Sequence, residues 1–280
     1  MEIGFVAHDA GGAELLSSYA LENCFSGKFC VSGPAIEIFS LKFEKFHNYT
    51  LEEVIADSDL IMTGTGWASN FEWNAIRTAK IHNKRVISFL DHWCNYRDRF
   101  IRNGISIFPD KIWVGDVFAL KIAQETFPNL EILLVENPFF KRIKKSFSSF
   151  PKKNLTGNHK VLYVSEPILD ADKHGYSERE AINYFFQKLP DIVPSKAEII
   201  FRKHPSENKN KYDWIFEFSS QNISFSNNVD LLDDLRESDI VIGRNSMALV
   251  AALMADKKVF SLIPPGGGFC ILPFSEIIQL

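Results

Sequence analysis

Short apolar runs alternate along the chain with longer stretches of helical periodicity, and this alternation restricts the fold more than any other feature. In the first half, strands are predicted at Ile3–Ala7, Leu60–Thr63, Arg85–Leu90, Lys111–Val114 and Ile132–Val135. Helices are predicted between them at Gly12–Asn23, Phe71–His82 and Val117–Thr126. Strands that alternate with helices form parallel βαβ units, and nearly continuous Val, Ile and Leu runs are typical of strands covered on both faces. The first half is therefore predicted to be an α/β domain.

A second βα series follows the first. Its predicted strands are Lys160–Val164, Glu198–Phe201, Ile223–Phe225, Ile240–Ile242 and Val259–Leu262, and its predicted helices are Ser177–Lys188, Val229–Glu237 and Ser246–Met254. Residues 139–159, rich in Lys, Ser, Pro and Asn with little periodicity, are typical of an interdomain linker. We therefore predict an α/β fold of two Rossmann-like βαβ domains facing a cleft, residues 1–140 and 160–280, joined by a linker over residues 141–159. A single doubly wound domain is the alternative.

Composition and charge narrow the class of protein. The 280-residue chain is 46% hydrophobic and 24% charged, as expected of a globular protein. Its formal net charge of −4 argues against a general nucleic-acid surface. Basic residues are concentrated near the predicted linker, which fits either a solvated segment or a peripheral contact with an acidic membrane. They are Lys141, Arg142, Lys144, Lys145, Lys152 and Lys153.

The cysteines and the N-terminal segment predict a cytoplasmic protein. The four cysteines, at positions 24, 30, 94 and 270, show no CxxC spacing, so neither a zinc site nor a disulfide framework is predicted. The N-terminal MEIGFVAHDAGG begins directly with a short strand and lacks the basic region and longer apolar stretch of a signal peptide. No apolar run approaches the ~20 residues of a membrane span. Any membrane contact would therefore be peripheral, at the inner face.

Two segments of the second half combine an apolar strand with an anion-friendly end. They are IIFRKHPSE, Ile199–Glu207, and DIVIGRNSMALVAAL, Asp239–Leu253. Ligands of open α/β sheets bind at the carboxyl ends of strands, and a helix N-terminus there can hold phosphate. We therefore expect a nucleotide or phosphate site in the second domain. Its candidate residues are Ser165, Glu166, Arg202, Lys203, His204, Pro205, Arg244, Asn245 and Ser246.

Each of these residues also has an ordinary structural explanation. His204 stands before Pro205, which defines the turn, and it can be a loop residue beside surface cations. Ser246 is a natural N-cap of the helix that follows it. Glu166 can bond ribose or sugar hydroxyls, or it can be an ordinary loop acid. The functional interpretation depends on these segments meeting at one edge of the sheet.

Several segments together resemble bacterial GT-B glycosyltransferases, in particular the HP-motif enzymes of surface polysaccharide assembly. The segments are ENPFF, YVSEP, RKHP and the Ser-bearing strand-to-helix turn GRNSMAL. These enzymes include sialyltransferases, Kdo transferases and glycerophosphate polymer transferases, and nucleotide-sugar hydrolases and hydrolysing 2-epimerases share their fold. The resemblance implies that His204 contacts the nucleotide of the donor. The chain departs from the family in its short length and in lacking a DDG-like acidic motif.

The polar loops of the first half are predicted to carry the chemistry. His8 and Asp9 follow the first strand, where either could deprotonate an acceptor hydroxyl or a water, and Asp9 could instead orient His8 or cap the first helix. The spacing of the glycines is not GxGxxG, so no dinucleotide fingerprint is present. Eight residues are candidates for contact with the sugar or the acceptor. Two are the glycines of the turn after the first strand, and six lie at the ends of two later strands. These eight are Gly11, Gly12, Thr63, Gly64, Thr65, Asp91, His92 and Trp93.

The resemblance therefore implies a metal-independent, inverting glycosyltransferase of bacterial surface glycan synthesis. It would take a nucleotide-sugar as co-substrate and a glycan or lipid-linked acceptor, with no cofactor, no metal and no nucleic-acid partner. One alternative keeps the fold and replaces the acceptor by water, giving a nucleotide-sugar hydrolase or hydrolysing 2-epimerase. Another is a non-catalytic nucleotide-sugar-binding subunit.

Overall fold

The computed structural model describes residues 1–25, 27–66, 69–149, 159–168, 170–193, 197–208, 210–217 and 222–280. The chain divides into two compact units, Met1–Arg142 and Ile143–Leu280. Each unit is built on its own six-stranded parallel sheet. The prediction of an α/β fold with two parallel-sheet domains is confirmed.

The sheet of the first unit has the strand order β2-β1-β3-β4-β7-β8. Its strands are β1 (Ile3–Ala7), β2 (Lys28–Val31), β3 (Leu60–Thr63), β4 (Arg85–Leu90), β7 (Lys111–Val114) and β8 (Glu131–Leu134), and a small antiparallel hairpin is formed by β5 (Ile101–Arg102) and β6 (Ile105–Ser106). The helices are α1 (Ala10–Glu22), α2 (Pro34–Lys42), α3 (Leu51–Asp57), α4 (Phe71–Ile81) and α5 (Val117–Thr126). The chain runs from β1 outward to β2 and then returns to the other side of β1 with β3. The order therefore reverses between β1 and β3.

The sheet of the second unit has the strand order β11-β10-β9-β12-β13-β14. Its strands are β9 (His159–Val164), β10 (Ala197–Arg202), β11 (Asn222–Phe225), β12 (Ile240–Gly243), β13 (Lys258–Ser261) and β14 (Ile278–Gln279). The helices are α7 (Ala171–His174), α8 (Glu178–Ile192), α9 (Leu231–Glu237) and α10 (Met247–Met254). After β11 the chain returns to the far side of β9 with β12, so the reversal point lies between β9 and β12.

Aromatic packing explains much of the high phenylalanine content. In the first unit Phe29 and Phe39 pack edge to face with their ring centroids 5.1 Å apart, among buried aliphatic residues of β1 and α1. In the second unit Tyr163 and Phe201, on the adjacent strands β9 and β10, stack with centroids 5.1 Å apart. Pairs at such distances stabilise a core beyond simple area burial.

The first residues of the predicted linker are helical. Residues 138–147 form α6 (Pro138–Phe147), so Lys141 to Phe147 are helical and not irregular. Its apolar residues lie at helical spacing, and Phe139, Phe140, Ile143 and Phe147 are buried. Lys141 is half exposed and pairs with Glu22. The basic residues Lys152 and Lys153 lie outside the described residues.

No helix in the described ranges is long and apolar enough to cross a membrane.

Candidate functional site

The predicted polar loops of the first unit gather at the carboxyl edge of its sheet, at the reversal point. His8 and Asp9 follow β1, and Gly64 and Thr65 follow the neighbouring strand β3. Asp91 follows β4, the next strand of the sheet. Ligands of doubly wound sheets bind outside the carboxyl ends of the strands at such a point. Topology alone therefore makes this edge a candidate site.

His8 and Asp9 form a contact pair that is open to solvent. His8 Nδ1 lies 2.6 Å from Asp9 Oδ1, and the two side chains are 26% and 31% exposed. A carboxylate only accepts hydrogen bonds, so the proton of a neutral imidazole is placed on Nδ1 and Nε2 remains the basic nitrogen. The ring packs against Gly33, where φ is +54° and a Cβ would stand 2.8 Å from His8 Nε2. Glycine is required there both by the backbone conformation and by the close contact.

The glycines of the first turn allow close packing between loops. A Cβ on Gly11 would stand 2.1 Å from Asp91 Oδ2, and one on Gly12 would stand 3.1 Å from Gly64 Cα. The start of α1 therefore packs closely against the Gly64 backbone after β3 and against the Asp91 side chain after β4. A side chain at either position would be crowded, which gives both glycines a structural role beside the predicted ligand role.

Asp91 and Thr65 are held together by Arg99, a residue that the sequence analysis did not select. The buried Arg99 guanidinium donates through Nη1 to Asp91 Oδ1 at 2.8 Å and to the Thr65 carbonyl oxygen at 2.9 Å. Arg99 Nη1 also donates to Thr65 Oγ1 at 3.0 Å. Two of the predicted sugar-contact residues are thus brought together, with much of their hydrogen-bonding capacity used within the protein.

Other predicted sugar-contact residues are turned inward. Trp93 is buried, and its Nε1 donates to both carboxylate oxygens of Asp116 at 3.1 and 3.0 Å. Thr63 is fully buried and shares a 2.7 Å hydrogen bond with Ser88 Oγ inside the sheet. His92 Nδ1 accepts from the Trp93 backbone N–H at 2.9 Å. The indole is therefore not presented for stacking on a sugar, and Thr63 does not reach the surface.

Glu72 is a further acidic residue at this site. It lies in the first turn of α4 and is only 1% exposed. Its Oε1 accepts from the His8 backbone N–H at 2.8 Å. Burial and then the neighbouring charge of Asp9 raise the pKa of Glu72 above its usual range. No sequence motif surrounds Glu72, and its partner His8 is 64 positions away, so no local pattern points to it.

The second unit gathers its predicted residues at its own reversal point. Ser165 and Glu166 follow β9, and residues 244–246 follow the neighbouring strand β12. His204 follows β10, which pairs with β9 on the other side. The three loops therefore lie at one edge, as the strand-end argument predicts.

Glu207 ties the loop after β9 to the loop after β10. Its Oε2 accepts from Ser165 Oγ at 2.6 Å and from the His204 backbone N–H at 3.0 Å. Burial acts to raise the pKa of Glu207, but hydrogen bonds from Ser165, Tyr212 and Lys211 outweigh it and the pKa is lowered. Glu207 is therefore a fixed negative charge beneath the HP turn. His204 Nδ1 in turn shares a 2.7 Å hydrogen bond with Ser206 Oγ.

Glu166 ties the loop after β9 to the loop after β12. Its Oε2 accepts from the Asn245 backbone N–H at 2.9 Å, and its backbone carbonyl accepts from Arg244, whose side chain is buried. Burial raises the pKa of Glu166 despite the nearby Arg244 guanidinium. Asn245 Oδ1 accepts from the Ile271 backbone N–H at 2.8 Å, which also fixes the segment after β13.

Ser246 and Arg202 have structural partners. Ser246 is the N-cap of α10, and its Oγ accepts from the Ala248 N–H at 3.1 Å. Arg202 lies at this edge, where its backbone carbonyl accepts from the Ser165 N–H at 2.9 Å. Its guanidinium, however, pairs with the fully buried Asp234 at 2.5 Å and donates to two backbone carbonyls. Lys203 lies with its Nζ 3.6 Å from the centroid of the Phe225 ring.

In the described part of the chain, no three His, Cys, Asp or Glu side chains are grouped closely enough to hold a metal ion.

Comparison with known proteins gives structural neighbours only. No protein-family profile and no curated protein matches the sequence. A variant of the wall teichoic acid polymerase TagF soaked with CDPG matches with a TM-score of 0.50 at 11% identity, over 93% of this chain and 69% of that chain. The two-domain fold is GT-B-like.

Two other glycosyltransferases are more distant in structure. An α/β-galactoside α-2,3-sialyltransferase from Photobacterium phosphoreum matches with a TM-score of 0.49 at 11% identity, over 99% of this chain and 88% of that chain. The E. coli heptosyltransferase WaaC with ADP matches with a TM-score of 0.43 at 9% identity, over 100% of this chain and 92% of that chain. At such identities a structural likeness concerns the fold, and the assignment of function depends on the geometry of the site.

Proposed function

We propose that this protein is a glycosyltransferase that moves a sugar from a nucleotide-activated donor to a hydroxyl acceptor. The observation that carries the proposal is topological. In each unit the polar residues selected from the sequence lie at the carboxyl ends of strands beside the point where strand order reverses. Doubly wound sheets bind ligands there, and a GT-B-like fold supplies two such edges. The likeness to TagF, a polymerase whose structure was solved with CDPG, supports a nucleotide-linked donor.

The second unit is the proposed donor site. The His204 backbone N–H donates to Ser165 Oγ and to Glu207 Oε2, which fixes the turn. The imidazole of His204 would contact the nucleotide. The start of α10 at Ser246 and the ammonium group of Lys203 would face the phosphates, since a helix N-terminus and a nearby cation stabilise negative charge. Arg202 has no direct role in this proposal because it neutralises the buried Asp234.

The first unit is the proposed acceptor site. As the bond between the anomeric carbon and the nucleotide oxygen breaks, the acceptor oxygen attacks the anomeric carbon and its proton passes to His8 Nε2. Asp9 stabilises the imidazolium through the 2.6 Å contact with Nδ1. In the alternative, Asp9 itself takes the proton of the acceptor hydroxyl, and the same two side chains are involved. The acceptor is proposed to be a glycan or lipid-linked glycan of the bacterial surface, with the protein at the inner face of the membrane.

A thermal-shift panel tests donor recognition. The purified protein is heated with UDP, GDP, CDP, CMP or dTDP, each at several concentrations. A nucleotide present at 100 times its Kd stabilises the folded state by about 2.7 kcal/mol, which corresponds to a rise in Tm of roughly 5–10 °C for a chain of this size. We expect one base to give such a rise and the others to give little. A flat response across the whole panel would contradict the proposal.

Substitutions in the second unit are expected to weaken donor binding. His204→Ala should raise the Kd for the nucleotide identified in the panel by about 10- to 100-fold, the loss of a hydrogen bond to a charged group. Ser246→Ala should raise the nucleotide Kd by about tenfold. Separately, it should lower the stability of the folded protein by roughly 1 kcal/mol, because the N-cap of α10 is lost. Isothermal titration calorimetry on folded protein separates the two effects.

Matched controls exist within the same unit. His159→Ala lies at the amino end of β9, and Ser224→Ala changes an exposed residue of β11. Both should bind the nucleotide as the wild type does. If His204→Ala and Ser246→Ala bind as tightly as these controls, the donor site lies elsewhere.

The reaction itself is tested by omitting the acceptor. Incubation with the nucleotide-sugar alone should release free sugar slowly, and adding the acceptor should accelerate consumption of the donor. Rapid release of free sugar without any acceptor would reassign the site to hydrolysis, with water in the place of the acceptor hydroxyl.

A further inference from the structure

Glu72 is the most deeply buried acid of the first-unit site and has one unsatisfied oxygen. Its Oε1 accepts from the His8 backbone N–H at 2.8 Å. Its Oε2 is inaccessible to solvent and has no hydrogen-bond partner among the described residues. A buried carboxylate oxygen without a donor is unfavourable while it is charged, and such a group takes up a proton instead.

The unsatisfied oxygen lies beside Asp9. A Cβ on Gly66 would stand 2.6 Å from Asp9 Oδ2 and 3.0 Å from Glu72 Oε2, so one methyl-sized group at this position would touch both carboxylates. The other oxygen of Asp9 contacts His8 Nδ1. The negative charge of Asp9 disfavours a second charge nearby, and this acts on Glu72 in the same direction as its burial.

Arg102 is near enough for the charges of both acids to act on it, but it forms no ion pair with either among the described residues. Arg102 donates through Nη2 to the Gly66 and Ser69 carbonyl oxygens at 2.9 and 2.8 Å, and through Nε to Asn70 Oδ1. Its guanidinium thus binds backbone and amide oxygens and pairs with neither acid in the part of the chain that the structure describes. Burial, followed by the charge of Asp9, raises the pKa of Glu72, which agrees with the geometry.

We propose that Glu72 is a neutral carboxylic acid in the working protein and is a positioning residue for the His8–Asp9 pair. It carries a proton on Oε2, so that the three residues together hold a single negative charge, located on Asp9. That charge is then available to stabilise a protonated His8, and Glu72 Oε1 fixes the backbone from which the imidazole extends. The catalytic meaning of this assignment rests on the proposed function, but the protonation state does not.

Infrared difference spectroscopy tests the protonation state directly. The spectrum of the wild type minus that of Glu72→Gln at pH 7 should contain the C=O band of a neutral carboxylic acid, and this band should shift in D₂O. The matched control is Glu52→Gln, an exposed acid of α3, whose difference spectrum should contain only carboxylate bands. A Glu72 difference spectrum with carboxylate bands alone would overturn the proposal.

Unfolding as a function of pH gives a second readout. An acid whose pKa is raised in the folded state contributes stability that is lost as pH rises from its ordinary value of 4.5 through the folded pKa. The wild type should therefore lose stability relative to Glu72→Gln over that window, as measured by urea denaturation. A constant difference between the two proteins across the window would count against a proton on Glu72.

Activity measurements separate the positioning role from the proposed reaction. Glu72→Gln keeps an oxygen for the His8 N–H and should retain kcat within about threefold, whereas Glu72→Ala should lose about tenfold or more in kcat with little change in KM. Equal kcat values for the two variants would refute the positioning role. If the wild type transfers no sugar, the proposed function fails, while the infrared band still decides whether Glu72 is protonated.

Discussion

Replacing His8 with alanine is expected to lower kcat for sugar transfer by about 10²- to 10⁴-fold, the range typical of a general acid–base residue. The donor Kd should stay close to that of the wild type, because the proposed nucleotide contacts belong to the second unit. Asp9→Asn should also lower kcat, since an amide cannot stabilise an imidazolium as a carboxylate at 2.6 Å does. Steady-state kinetics with a radiolabelled donor measure kcat, and calorimetry measures the donor Kd.

The control for this experiment is His82→Ala. His82 is an exposed residue at the C-terminal end of α4, where its Nδ1 contacts the Thr78 carbonyl oxygen. Its loss should leave kcat unchanged. If His8→Ala retains wild-type kcat, the proton of the acceptor goes elsewhere. If only Asp9→Asn is impaired, the proton goes to the aspartate and not to the imidazole.

The inner strands of both sheets were predictable because most of their side chains are buried. The run IGFVA of β1 is buried at every position, so a continuous apolar run was the correct signal for a strand covered on both faces. The same reasoning missed β2, whose four residues begin with a lysine, and the short helix α3. Such short elements depend on tertiary packing more than on local pattern.

The helix α6 shows a signal that composition obscured. Its lysines and serine are typical of a linker, yet Phe139, Phe140, Ile143 and Phe147 recur at helical spacing and are buried. Periodicity was therefore the better guide than composition at this place. Four buried apolar residues in ten outweigh the unfavourable local composition.

The candidate site was predictable in position but not in its internal connections. Strand ends located His8, Ser165 and His204, because parallel strands direct the following loops to one edge. Three anchoring residues were missed: Glu72, Arg99 and Glu207. Two of these lie on or directly before helical segments, where a charge is usually solvated. Only the three-dimensional structure shows that each is turned inward onto a loop distant in sequence.

Replacing Asp234 with alanine is expected to destabilise the second unit by about 3–5 kcal/mol, the usual effect of removing one partner of a buried ion pair. Asp234 is fully buried and accepts from Arg202, from Ser226 Oγ at 2.7 Å and from Asn228 Nδ2 at 2.8 Å. Its loss leaves the Arg202 guanidinium without a counterion. Because proteins are stable by only about 5–15 kcal/mol, much of the unit's stability would be lost. Urea denaturation followed by circular dichroism measures the change.

The adjacent residue on α9 provides the control. Asp233 is 50% exposed and pairs with Arg236 three positions away, so Asp233→Ala should change stability by less than about 1 kcal/mol. Asp234→Asn keeps an oxygen for Ser226 and removes only the charge. Its free energy of unfolding should lie between those of the two alanine variants. Equal stability of Asp233→Ala and Asp234→Ala would mean that Arg202 is readily solvated. The guanidinium would then be available for a ligand phosphate, and its exclusion from the donor site would have to be abandoned.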